Sequence, residues 1–241
     1  MIEKDVIFSI NVHEKKDFLI EQIKNIDDYV SLNYVIIINS NEYMYNEISN
    51  CEFIKSKDNI ILNENYFEKK RFHGSLTRGI YLNMKYALNN FKFNYFIILS
   101  SKNMFYNKMT YENYNSLVKI TDGKSYEEID VNKWIWNSLL KTELSKYLIN
   151  KKGLFINTAH EGLTFDFISC KNIISFLDNN EDITTNLFNW NNQIEEFALQ
   201  TISINLNGYI YDIGNGIWTN SSEDIENLPK NKFVYKTPRE I

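Results

Sequence analysis

At 241 residues the chain is long enough for one large α/β domain with a full core. An apolar share of 44%, an aromatic share of 15% and only two prolines, Pro229 and Pro238, argue against a disordered chain and leave no proline-rich linker in its body. A net charge of −5 argues against a general nucleic-acid binder, and the opening MIEKDVIFSINV reads as neither a signal peptide nor a membrane span.

Asp5–Val12 (DVIFSINV) reads as a first buried strand ending at His13. Glu14–Ile26 then carries Phe18, Leu19, Ile23 and Ile26 at the spacing of an amphipathic helix. Tyr34–Ile38 (YVIII) is a second buried strand closed by Asn39-Ser40-Asn41, Tyr43–Ile48 a short helix, and Asn59–Leu62 a short third strand. Strand, helix, strand at this spacing is the βαβ signature of a parallel sheet. The RFHG stretch at 71–74 breaks the pattern, and Ser75 is a fair N-cap for a helix from Leu76 to about Asn90. That helix feeds Tyr95–Ser100, a run of apolar and β-prone residues without Gly or Pro, as expected of a strand covered on both faces. The run stops at Ser100-Ser101-Lys102-Asn103, and in open α/β sheets ligands lie outside such carboxyl ends.

From Thr110 to Leu148 the texture is helical, around Trp134, Ile135, Trp136, Leu139 and Leu140. Lys152-Gly153 precedes a short strand, Leu154–Asn157, then the segment TAHEGLTFD at 158–166, and Cys170–Leu177 returns to helix. Asp178–Asn192 is polar and Asn-rich, a surface loop; Glu195–Asn205 (EEFALQTISIN) is a helix with two carboxylates in its first turn. Tyr209–Ile213 is a last short strand, and Asn220–Ile241 a polar tail containing Lys230, Lys232, Lys236 and Arg239. The order of elements predicts one α/β domain with a mostly parallel central sheet. Cys51 and Cys170, far apart among apolar neighbours, read as reduced, partly buried thiols of a cytoplasmic protein.

Several common motifs are absent: GxGxxG after the first strand, GxxxxGKS/T, GxSxG and HExxH. None of His13, His73 and His160 has a partner at metal-ligand spacing, so loop or capping roles are expected of each and no metal ligand is assigned. Glu195-Glu196 open a helix after a polar loop, and His160-Glu161-Gly162 lie in a second connection. Carboxylates beside a sheet's carboxyl edge stand where a general base is useful, although taken alone such a pair is more simply explained by helix-end stabilisation.

Four blocks, in order, carry a family resemblance: IFSINVHEKKDFLIEQIKNI, YFIILSSKNMFY, HEGLTFDFISCKNIISFL and EEFALQTI. With them, from about Val6 to Asn205, the chain resembles the GT-A-fold nucleotide-sugar glycosyltransferases, most closely the mucin-type (core-2/I) branching N-acetylglucosaminyltransferases and their microbial relatives. The resemblance implies a Rossmann-like α/β/α sandwich forming a single glycosyltransferase domain over 1–241. Its nucleotide-binding half spans about 1–108, its acceptor-binding half about 109–219, and 220–241 form a basic C-terminal tail.

It further implies an inverting transfer of a sugar, most simply from a UDP-sugar, to a hydroxyl of a glycan or glycolipid. Glu196 matches the family's general base, with Glu195 beside it. Val12, His13, His73, Gly74, Ser75, Arg78, Ser100, Ser101 and Asn103 would meet the donor, with Arg71 nearby. Lys236 and Arg239 would face its phosphates, unless the tail is simply solvated. His160, Glu161 and Gly162 would meet the sugar or acceptor. No cofactor is implied: the Asp-x-Asp that holds Mn²⁺ or Mg²⁺ in many GT-A enzymes is replaced here by Ser100-Ser101-Lys102-Asn103, which offers no carboxylate. The implied partners are a nucleotide-sugar donor and a glycan or glycolipid acceptor, with no nucleic acid and at most peripheral membrane contact.

The chain is shorter than the family's animal members and lacks their membrane anchor and disulfide framework, so a stripped cytoplasmic core is expected and the specific sugar is not carried over. Two other readings stay open, a metal-dependent hydrolase using the histidines and a non-catalytic carbohydrate-binding protein on a decayed transferase fold.

Overall fold

The computed structural model describes residues 1–12, 15–100, 102–214, 217, 219 and 225–237. The first half alternates strand and helix: β1 (Ile2–Val12), α1 (Lys16–Tyr29), β2 (Tyr34–Ser40), α2 (Glu42–Ser49), α3 (Glu52–Lys55), β3 (Ile60–Leu62), α4 (Ser75–Asn90) and β4 (Phe91–Ser100). The second half is more broken: β5 (Asn103–Phe105), β6 (Val118–Lys119), α5 (Trp134–Leu139), α6 (Glu143–Lys151), β7 (Leu163–Asp166), α7 (Phe167–Asn179), α8 (Glu181–Phe188), α9 (Ala198–Asn205), β8 (Ile210–Asp212) and β9 (Val234–Lys236).

A seven-stranded sheet runs β3-β2-β1-β4-β7-β8-β6, and β5 pairs with β9 in a separate ribbon. The core β3-β2-β1-β4 is parallel, whereas β7, β8 and β6 add antiparallel pairings, so the sheet is mixed rather than mostly parallel. The parallel strands are covered by helices on both faces, hence their unbroken apolar runs. Alternate residues split accordingly. Ile7, Ile37, Phe96 and Ile98 pack with α4, α7 and α9, while Phe8, Ile36, Ile38, Ile97 and Leu99 pack with α1 and α2.

Five local expectations are corrected. Residues 110–133 are not α-helical: they run through turns, the two-residue β6 and a 3₁₀ turn at Tyr126–Glu128, and α-helix begins only at α5. Residues 178–192 are not a loop but largely α8, whose inner face buries only Ile183 and Leu187. Residues 154–157 make no strand; Phe155 forms one isolated bridge with Lys124. Ser75 is not the cap of α4 but its first residue, and Gly74 occupies the cap position. Finally, the helix expected from Glu195 is broken at Phe197. Ile194–Glu196 form a 3₁₀ turn and α9 begins at Ala198, because Phe197 leaves helical geometry (φ −134°, ψ −50°) to bury its ring completely against Phe155 and Trp136. Packing of one aromatic side chain overrides the local helix signal. The tail is ordered in its described part, with Val234 fully buried and β9 zipped to β5. Among the described residues no helix is long and apolar enough to cross a membrane.

Candidate functional site

One cleft opens at the carboxyl ends of β1 and β4, where the sheet changes from parallel to antiparallel pairing, the position at which open α/β sheets hold ligands. It is lined by Asn11, Arg71, Phe72, Leu76, Ile98, Leu99, Ser100, Lys102, His160, Glu161, Glu195, Glu196 and Lys236. The cleft has a volume of about 90 Å³.

Each wall is fixed by its own bonds. At the lip after β4, Asn103 Oδ1 accepts from the Ser100 backbone N–H (2.7 Å) and hydroxyl (3.1 Å), and Gln22 Nε2 donates to the Ser100 carbonyl at 2.7 Å. Asn103 is therefore the buried brace of the lip, and Ser100 the residue it presents. Opposite, Glu196 is held through its backbone, its carbonyl accepting from Thr158 N–H (2.9 Å) and Asn157 Nδ2 (3.3 Å). The His160-Glu161 turn is pinned to β4 by Gly162, whose N–H donates to the Ile98 carbonyl at 2.8 Å. Gly162 sits at φ +84°, a left-handed conformation that suits glycine.

Three carboxyl groups share this space. Lys236, carried in by β9, donates to and ion-pairs with Glu161, which also lies 3.7 Å from His160 Nδ1. Burial alone would raise the Glu161 carboxyl, but the His160 and Lys236 charges hold it at about 2. His160 is pushed down by burial, which outweighs the pull of Glu161. Glu195, only 4% exposed, is pushed up to about 8 by burial first and then by the charges of Glu196 and Glu161. Glu196, less enclosed, is raised mainly by burial as well. Neither carboxyl of the pair caps α9: Phe197 takes that position, with no side-chain cap bond.

The cleft therefore gathers Ser100, His160, Glu161, Glu195, Glu196 and Lys236 from the candidate residues. Others have different positions. Val12 packs its side chain in the core on the α1 face. His73 Nδ1 accepts from the Ser75 N–H, and Ser75 Oγ accepts from the Lys70 N–H, so both tie down the start of α4. Gly74 donates to the Trp190 carbonyl at 2.8 Å, and Arg78 stacks on Phe67. His13, Ser101 and Arg239 lie outside the described residues. Asn11, Phe72, Leu76, Ile98 and Leu99 were not singled out by sequence, since small or apolar residues carry no chemical signal. Arg71 and Lys102 had one, as cations flanking a break and a strand tip.

Among the described residues no three His, Cys, Asp or Glu side chains are grouped so that they could hold a metal ion. The arrangement can take a proton on a carboxylate, present cations to an anion, and donate hydrogen bonds to hydroxyls. No protein-family model matches the chain, and neither does any curated protein.

Proposed function

We propose that the chain is an inverting glycosyltransferase with a GT-A-type core. It moves a sugar from a nucleoside-diphosphate donor, a UDP-sugar in the simplest case, to a hydroxyl of a glycan or glycolipid. The supporting observation is that Glu196 and the Ser100 lip border one cleft together with Lys102, Arg71 and Lys236. A base and a set of cations in one place are what a displacement at an anomeric carbon needs, since charge leaves on the diphosphate as the proton leaves the acceptor.

In this reading Glu196 takes the proton of the acceptor hydroxyl, whose oxygen forms the new bond to the anomeric carbon. The bond to the diphosphate breaks on the opposite face, its electron pair going to the departing oxygen, and the configuration inverts. Burial raises Glu196 above an ordinary carboxylate, which makes it a stronger base. Lys236 is oriented by Glu161 and would shift toward the leaving diphosphate. At about 90 Å³ the cleft is smaller than the ~300–1,000 Å³ of a pocket that holds a whole ligand, so it suits the reacting centre, with the rest of the donor lying outside it.

The test is Glu196→Gln, assayed with a panel of nucleoside-diphosphate sugars. Transfer is expected to fall by at least about a hundredfold, the low end for a positioned base, while nucleoside-diphosphate binding by thermal shift persists. Unchanged transfer in that variant removes the base assignment.

A further inference from the structure

The geometry points to different protonation states for the two adjacent glutamates. We propose that Glu195 works as the neutral carboxylic acid, its Oε2–H donating a hydrogen bond to a hydroxyl or carbonyl oxygen of the bound sugar, so that it selects the ligand while Glu196 alone takes the proton. The identity of that ligand as a sugar rests on the transferase reading; the state of Glu195 does not.

Three observations carry the proposal. Glu195 lines the cleft yet is 4% exposed, and its Oε2 is buried with no hydrogen-bond partner. A buried polar atom left unpaired is costly, so a partner supplied by the ligand is the simplest account. Second, the influences on it are unequal: burial, the largest, opposes its ionisation together with Glu196 and Glu161, against a backbone hydrogen bond and Lys236, which favour it. That ammonium is already engaged by Glu161. Among the described residues the other charged and titratable groups lining the cleft are His160, pushed toward its neutral form by burial, and Lys102 and Arg71. Third, Glu196 is the less enclosed of the pair and is the one that can ionise at lower cost. When neighbouring carboxyls cannot both ionise, their environments assign the roles. A neutral carboxyl offers one donor and retains acceptor capacity, a match for a sugar hydroxyl or an acetamido carbonyl.

Infrared difference spectra of the whole chain test the protonation state without any activity. A protonated-carboxyl band is expected at pH 7 that disappears in Glu195→Gln and, in wild type, fades as the pH passes about 8. A spectrum at pH 7 that Glu195→Gln leaves unchanged overturns the proposal. Ligand selection is read by the affinity for a panel of monosaccharide methyl glycosides and nucleoside-diphosphate sugars. Glu195→Ala is expected to weaken binding about tenfold or more, and Gln, which also donates, to restore most of it. Wild-type affinity should fall above pH 8 and that of Glu195→Gln should not. A Gln variant as weak as Ala, binding that Ala leaves unchanged, or no sugar binding at all overturns the ligand role. If wild type transfers from no donor in the panel, the transferase reading fails, and the infrared and glycoside measurements still decide the case of Glu195.

Discussion

Lys236 and Glu161 illustrate how much one side chain near the end of the chain can decide. The Glu161 carboxyl is nearly buried, and Lys236 supplies the ammonium that allows it to stay ionised there. Replacing Lys236 by Met removes the positive charge and leaves a buried carboxylate, a change that in comparable pairs destabilises by about 3–5 kcal/mol. The expected outcome in urea unfolding at pH 7 is a loss of that order for Lys236→Met, with much of it recovered in the double variant carrying Glu161→Gln. The sign with pH follows from the depressed carboxyl. Its contribution is complete above the ordinary value of 4.5 and lost as the pH falls toward about 2. In Lys236→Met the carboxyl no longer has that cation, so its folded value rises toward the ordinary one and this acid-induced loss should shrink.

Between elements, the start of α4 is the most constrained joint near the cleft. Gly74 packs so closely on the end of α8 that a Cβ there would lie 1.9 Å from the Leu187 carbonyl oxygen. That neighbour is backbone, so it cannot swing aside. Gly74→Ala is expected to separate α4 from α8 and to cost about 1–3 kcal/mol, a fall of roughly 2–12 °C in a thermal melt of a chain this size. The same joint shows which elements the sequence could and could not announce. DVIFSINV, YVIII and YFIILS are legible as strands because both of their faces are covered, which keeps polar interruptions few. α8 is hidden because two buried residues, Ile183 and Leu187, suffice to dock it and the rest is free to be polar. β6, β7, β8 and β9 have two to four residues each, too few to show a period. The break at Phe197 depends on Phe155 and Trp136, distant partners that no local window contains.

Across the whole molecule, the site was legible where chemistry and topology agree. Carboxylates at 161, 195 and 196, the Ser100 lip and Lys236 come together because each stands at one end of the same sheet or in a ribbon packed there. Residues of the RFHG-Ser segment had the right location in sequence, but His73, Gly74 and Ser75 are consumed by building the helix start. The carboxyl edge also holds a buried amine, and its balance with Glu195 sets a global property. Lys69, 6% exposed, donates to Asn39 Oδ1 and the Ser40 carbonyl, and burial lowers it from 10.5 to about 7. Between pH 7 and 10.5 the unfolded chain therefore binds a proton there that the native state lacks, and stability rises with pH. Glu195 acts in the opposite sense. From 4.5 to about 8 the native state keeps a proton that the unfolded chain releases, so stability falls as the pH rises, and Glu196 adds to the fall. His160 and His73, both lowered, oppose that fall below their ordinary 6.5, and Cys170, raised, lowers stability above 9.0. The clear windows are thus a descending limb below about pH 7 and an ascending one from about 8 to 9, each with a slope of up to roughly 1.4 kcal/mol per pH unit, with a nearly level stretch between where Lys69 and Glu195 oppose each other. Urea unfolding from pH 6 to 9 should show a shallow minimum between about pH 7 and 8 in wild type. Glu195→Gln should flatten the descending limb, and Lys69→Met the ascending one. A wild-type profile without the minimum, or one that both variants leave unaltered, would mean that the two groups titrate in the native state as they do in water.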